Sequence, residues 1–114
     1  MRVAFTGHRD KTADRSELQG AIPNGATCVH GGAIGFDSQV NEVATAMGMT
    51  CDVIRPDYRL GRGAPLIRNR VIVDSCEMLI ACYDGRPIGG TAYTVRYAKQ
   101  RGKPVKILRP AHIT

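Results

Sequence analysis

The chain has 114 residues, 43% of them hydrophobic, and a formal charge of +6. That is the size of one domain, 1–114, with enough apolar residues for one continuous core and not for two. The composition excludes disordered, collagen-like and coiled-coil classes, and no apolar run approaches the ~18 residues of a membrane span. A pI of about 9.5 favours anionic partners, nucleotides or nucleic acid, without choosing between them.

The opening Met1-Arg2-Val3-Ala4-Phe5-Thr6-Gly7 has too short an apolar run for a signal peptide and enters a Gly-His-Arg turn. It reads as a buried first strand, Arg2 to Thr6, followed by a polar turn to about Arg15. Ser16 to Ile22 reads as a short helix closed by Pro23-Asn24-Gly25, and Thr27 to His30 as a second strand. From Ala33 to Met47, the apolar residues Phe36, Val40, Val43, Ala44 and Met47 carry the spacing of an amphipathic helix, which Gly48 ends. Thr50 to Ile54 is a third strand, stopped by Pro56. Tyr58 to Pro65 is a loop, Leu66 to about Ser75 a helix and Met78 to Tyr83 a strand. Gly85 to Gly90 is a glycine-rich loop. Thr91 to Arg101 is a helix with Ala92, Val95 and Ala98 inward, and Val105 to Leu108 a last strand.

Strand and helix in strict alternation define a parallel sheet with helices on both faces. The expected fold is α/β, a Rossmann-like three-layer sandwich of about five parallel strands joined by right-handed crossovers. Strands such as Met78-Leu79-Ile80-Ala81-Cys82 are apolar on both faces, as parallel strands are. Cys28, Cys51, Cys76 and Cys82 form no Cys-x-x-Cys pair and lack zinc-ligand spacing with a histidine. Reduced, buried thiols in a cytoplasmic protein are expected, with no metal and no cofactor.

In such sheets the ligand lies beyond the carboxyl ends of the strands, where the strand order reverses. The residues after each strand therefore carry the functional expectation. They are Thr6-Gly7-His8-Arg9 after the first, Gly31-Gly32-Ala33-Ile34-Gly35-Phe36-Asp37 after the second, and Asp84 through Gly89, Gly90 and Thr91 after the fourth. Two of these are glycine-rich turns opening into a helix. There glycine admits close backbone approach, and the N–H groups and helix dipole face an anion. Neither is the Gly-x-Gly-x-x-Gly fingerprint and neither carries a Walker lysine; one such turn alone is equally an ordinary strand-to-helix connection.

Asp37 has a bland reading, a carboxylate placed for the dipole, and two functional ones, an acceptor for a ribose hydroxyl or an orienter of the glycine turn. Arg62, Arg68 and Arg70 flank a loop with Asn69. A guanidinium is a fork of donors suited to phosphate, and the Arg68-Asn69-Arg70 group points to a ligand role for at least one of them. His8 and His30 stand at strand ends, as phosphate donors, acid–base groups or partners of backbone carbonyls. His112 in the tail is assigned nothing. Arg96, Lys99, Arg101 and Lys103 read as the solvated face of the last helix, with a DNA-binding patch as the alternative; no aromatic residue is interleaved there to stack bases.

These segments together resemble the SLOG superfamily, named for the SMF/DprA and LOG proteins, and its small YspA/YpsA-type branch. Val-Ala-Phe-Thr-Gly-His-Arg-Asp at 3–10 is similar to the family's opening. His-Gly-Gly-Ala-Ile-Gly-Phe-Asp at 30–37 resembles its Gly-Gly-Ala-Arg-Gly-Ala-Asp turn. The segment 56–69 ends in the branch's Arg-Asn pair, and Ile-Gly-Gly-Thr at 88–91 matches the second glycine loop. The resemblance covers nearly the whole chain and implies a Rossmann-like domain that binds nucleotides or nucleotide-derived signals. Some members are phosphoribohydrolases and the DprA members bind single-stranded DNA.

The chain departs from that pattern at Ile34, which replaces an arginine, and at Thr94, where the LOG hydrolases carry a glutamate. Cleavage of an N-glycosidic bond needs a carboxylate, so catalysis here would fall to Arg68 with Asp37 or Asp84. Binding ranks above catalysis. The expected ligand is a nucleotide-type small molecule, cyclic or not. Its phosphate would rest on Gly31, Gly32, Gly89, Gly90 and Thr91, with Arg68, Arg62 or Arg9 neutralising it and Asp37 and Asn69 on sugar or base. The alternatives are a nucleoside-monophosphate phosphoribohydrolase and a DprA-like single-stranded DNA binder. A homodimer or higher homo-oligomer is expected.

Overall fold

Five parallel strands lie in the order β3-β2-β1-β4-β5 in the computed structural model, which describes residues 1–111. The strands are β1 (Arg2–Gly7), β2 (Thr27–His30), β3 (Cys51–Val53), β4 (Met78–Cys82) and β5 (Val105–Leu108). The helices are α1 (Arg15–Ala21), α2 (Phe36–Ala46), α3 (Ala64–Asp74) and α4 (Gly90–Gln100), and a 3-10 turn covers Tyr58–Leu60. β1 pairs with β2 through Arg2–Thr27 and with β4 through Val3–Met78. The chain builds outward from β1 to β3, then returns to lay β4 on the other side of β1. The strand order therefore reverses between β1 and β4, which is where such sheets open a crevice.

Alternation along the strands divides the core. Val3, Phe5, Cys28, Ile80 and Cys82 face α1 and α2, meeting Leu18, Phe36, Val40 and Val43. Ala4, Val29, Leu79 and Ala81 face α3 and α4, meeting Ile72, Val73, Val95 and Ala98. Each central strand is apolar on both sides because helices cover both. The edges are thinner: Asp52 and Val53 on β3 and Lys106 and Ile107 on β5 are exposed.

Three boundaries depart from the sequence reading. Helix α3 begins at Ala64, so Pro65 lies in its first turn rather than in the preceding loop. Proline is suited there because the N–H it lacks has no partner in a first turn. The 58–65 loop winds through a 3-10 turn whose Asp57 side chain accepts from the Arg59 amide. Helix α2 starts at Phe36, not Ala33, because the residues before it are tied into a separate turn. Cys51 is only half-buried, while Cys28, Cys76 and Cys82 are buried. His112 lies outside the described residues.

Candidate functional site

A cleft of about 350 Å³ opens at the β1–β4 reversal. Its floor is the end of β1. Gly7 closes that strand, and a Cβ there would lie 2.5 Å from Cβ of Phe36. Glycine is thus what lets the start of α2 dock against the strand end. Gly35, at φ 80°, turns the chain into α2 beneath the carbonyls of His8 and Arg9, 2.6 and 2.4 Å from where its Cβ would stand.

The turn after β2 is internally satisfied. The Gly31 and Ala33 amides both donate to Oδ2 of Asp37, at 3.2 Å each. The Gly32 amide donates to Nδ1 of His30 at 3.0 Å. Nδ1 accepts, so the His30 proton sits on Nε2, which donates to Oδ1 of Asn41 at 3.1 Å. His30 is thereby a brace for the turn. Asp37 is its organiser, the second of the functional readings considered for it. Burial pushes the Asp37 carboxyl up, opposed by the Ala33 amide, His30, the Gly31 amide and Arg68. The expectation that the Gly31 and Gly32 amides face a bound anion is not met in this arrangement, since both already donate within the chain.

Arg68 closes the turn from the opposite side. Its Nη1 donates to the carbonyl of Gly31 at 2.7 Å and to that of Ile54 at 3.2 Å, and its Nε donates to Oδ1 of Asn69 at 2.8 Å. Asn69 then donates from Nδ2 to Oγ1 of Thr94 at 2.9 Å, and the Thr94 hydroxyl donates to the carbonyl of Gly90 at 2.8 Å. One chain of hydrogen bonds therefore runs from the first glycine turn to the second. Asn69 spends both ends of its amide on it. Thr94, fully buried, is a structural link at the position where the hydrolases of the resembled family carry their glutamate.

The second glycine turn differs in that no side chain accepts from its amides, and α4, like α2, has no side-chain cap. Gly89, at φ 113°, precedes α4, and no side chain caps the helix N-terminus. The first amides of a helix have no partner within it, and here those of Gly90 and Thr91 stand on the wall of the cleft. Gly90 has no atom within 4 Å of where its Cβ would be.

On the third side, His8 is buried and its Nε2 accepts from the Asp84 amide at 3.3 Å. Burial lowers its pKa, opposed in part by Asp84, so it is the neutral ring that makes this contact. The Asp84 carboxylate accepts from the amide and guanidinium of Arg86, which holds it well below the usual carboxylate range.

Of the residues expected at a ligand, Thr6, Gly7, His8, Arg9, Gly31, Ala33, Asp37, Arg68, Asn69, Gly89, Gly90 and Thr91 line this one cleft. Gly32 lines an adjoining hollow instead. Gly35 shapes the turn from behind. Arg62 is exposed beyond the 3-10 turn and Asp84 faces a different depression beside Arg109; neither is on the wall. The sequence reading missed Asp10, Pro65, Leu66 and Arg86. Arg86 stood in plain sight between the fourth strand and the Gly89-Gly90 turn, the segment already singled out. The basic residues of the last helix are largely engaged. Arg96 donates to the Pro87 carbonyl, Arg101 pairs with Asp74, and Lys103 donates to the Cys76 carbonyl. Among the described residues no group of three or more His, Cys, Asp or Glu is placed to hold a metal ion, and no helix is long and apolar enough to cross a membrane.

A Rossmann-like α/β domain with its cleft at the strand-order reversal is the class that this geometry defines. Two solved structures share the arrangement. DNA processing protein A (DprA) from Streptococcus pneumoniae superposes with a TM-score of 0.76 at 18% identity, covering 93% of this chain and 49% of that one. TM1055, a structural-genomics target, gives 0.69 at 21% identity, covering 91% of this chain and 71% of that one. The α/β fold expected from the sequence is thus shared with both structures, and this chain spans about half the length of the DprA chain. No protein-family model matches the sequence, and no curated protein does.

Proposed function

We propose that this domain binds a nucleotide or nucleotide-derived phosphate compound in the β1–β4 cleft, as a sensor or sequestering module. The observation that carries the reading is the uncapped N-terminus of α4, with Gly90 and Thr91 on the cleft wall. A phosphate there meets unpartnered N–H groups and the positive end of an 11-residue helix, with Arg9 also lining the cleft. The first glycine turn, its amides already used, forms the opposite wall and leaves the sugar and base to the space beside Ala33, Pro65 and Leu66.

Binding is favoured over hydrolysis by the state of the carboxylates. Asp37 and Asp10 are the acids on the wall; Asp37 holds two amides through one oxygen, Asp84 is chelated by Arg86 outside the cleft, and Thr94 supplies none. A general base for N-glycoside cleavage would have to be Asp10. The test is a thermal-shift series with mononucleotides, cyclic nucleotides, ADP-ribose derivatives and NAD, each mixture then chromatographed for free base. Ligand at 100 times its Kd adds about 2.7 kcal/mol of stability. A shift with the nucleotide intact is the expected outcome. Free base would make the protein a hydrolase, and no shift with any nucleotide would overturn the reading.

A further inference from the structure

A second hollow of about 500 Å³ adjoins the cleft and shares Arg9, Gly31, Ala33, Pro65 and Arg68 with it. It adds Gly32, Arg55, Pro56 and Tyr58, of which Arg55 lies outside every motif that the sequence singles out. Three guanidinium groups, from Arg9, Arg55 and Arg68, stand on its wall, and no carboxylate does. Of the nearby acids, Asp57 is held by the amide and guanidinium of its neighbour Arg59 at 3.1 and 2.9 Å, Asp37 lies behind the glycine turn, under its amides, and Asp10 lines the first cleft and not this hollow. Among the described residues neither Arg9 nor Arg55 has a carboxylate within 4 Å.

Arg55 is placed there by the sheet. The Ile54 amide donates to the His30 carbonyl at 2.9 Å, prolonging the β2–β3 pairing, and Pro56 then ends the strand. The Arg55 guanidinium consequently lies over the first glycine turn, with Nη1 2.9 Å from where a Cβ of Gly32 would be. Arg68 Nη1 occupies the corresponding space at Gly31, 2.4 Å from its notional Cβ. The two glycines thus leave room for two guanidinium groups side by side, Arg68 with the Asp37 charge behind the turn and Arg55 with no carboxylate within 4 Å. Such an arrangement costs Coulomb energy and is what a bound anion offsets.

We propose that this hollow is a second anion subsite, so that the ligand is a nucleotide with at least two phosphate groups, one on α4 and the other between Arg9, Arg55 and Arg68. This rests on the reading of the cleft given above and adds the ligand class. Calorimetric titration of the four ribonucleoside 5′-monophosphates, their 5′-diphosphates and their 3′,5′-bisphosphates tests it, in the unmodified protein and in Arg55→Ala. Arg55 is exposed and absent from the first cleft, so its removal leaves fold and monophosphate site in place. The expected result is at least one two-phosphate nucleotide that binds ten times tighter than its monophosphate, an advantage that Arg55→Ala removes while monophosphate affinity holds. The diphosphate and bisphosphate arms separate adjoining from spaced phosphates. Equal affinities throughout, or an equal loss for both classes in Arg55→Ala, would overturn the second subsite and leave the first reading standing. Absence of binding by every nucleotide would overturn both.

Discussion

The Arg68 guanidinium occupies the space that a side chain at Gly31 would need: its Nη1 donates to the Gly31 carbonyl at 2.7 Å and lies 2.4 Å from the notional Cβ. Gly31→Ala is therefore expected to expel Arg68 from its bonds to Gly31 and Ile54. Overpacking of this kind costs about 1–3 kcal/mol. In the Gly31→Ala/Arg68→Ala double variant the space is free again, and the two losses are not additive. A urea-denaturation cycle of the four proteins measures the coupling; strict additivity would refute the contact.

Thr94 ties the two glycine turns through Asn69 and Gly90. Thr94→Val keeps the shape and deletes the hydroxyl, leaving the Asn69 amide without its acceptor and the Gly90 carbonyl without this donor. The expected cost is about 1–3 kcal/mol, with Thr94→Ser, which keeps the hydroxyl, closer to the unmodified protein. Chemical denaturation distinguishes the pair, and equal stability of Val and Ser variants would show that the link carries nothing.

His8 is expected to titrate below its ordinary pKa of 6.5, since burial is the largest influence on it and lowers it. The sign follows: a depressed histidine contributes stability above its unfolded pKa, and that contribution is lost as pH falls through the folded value. Asp84 opposes the shift, so Asp84→Asn moves the midpoint further down. Proton–nitrogen NMR of the ring reads both the midpoint and the tautomer, with Nε2 unprotonated at neutral pH. A midpoint above 6.5 would contradict the buried, accepting ring.

Cys28 and Cys82 are pushed by burial from 9.0 up to about 11. The folded state then holds these protons more tightly than the unfolded one, so stability falls as pH rises from about 9 towards 11. Urea midpoints measured across that range test it. Cys82→Ala, less stable throughout, is expected to show a shallower alkaline fall; an identical slope would place the effect elsewhere.

The layout of the fold was legible because glycine and proline punctuate it: Gly48 and Gly102 end helices, and Met78 to Cys82 is apolar on both faces as a central parallel strand must be. Pro65 misled, because proline marks both the end of a loop and the first turn of a helix. Within the site, the cleft residues after β1, β2 and β4 were visible from their place at strand ends. Where the amides of Gly31, Gly32 and Ala33 donate was not, since that depends on Asp37 folding back and on which His30 nitrogen carries the proton. Arg55 carries no local pattern; only the β2–β3 pairing and the course of the chain after Pro56 bring it beside Arg68.

The central claim is that a phosphate rests on the N-terminus of α4, and Gly90→Ala tests it most directly. A methyl at that position meets nothing within 4 Å in the protein, and Gly90 is not among the glycines at positive φ. The variant should fold with unchanged stability or gain up to about 1 kcal/mol from the helical preference of alanine. A methyl there stands where an anion would approach the backbone. Calorimetric titration with the nucleotide that gives the largest thermal shift is expected to show at least a tenfold loss of affinity in Gly90→Ala. Affinity equal to that of the unmodified protein, in a variant of undiminished stability, would contradict the account.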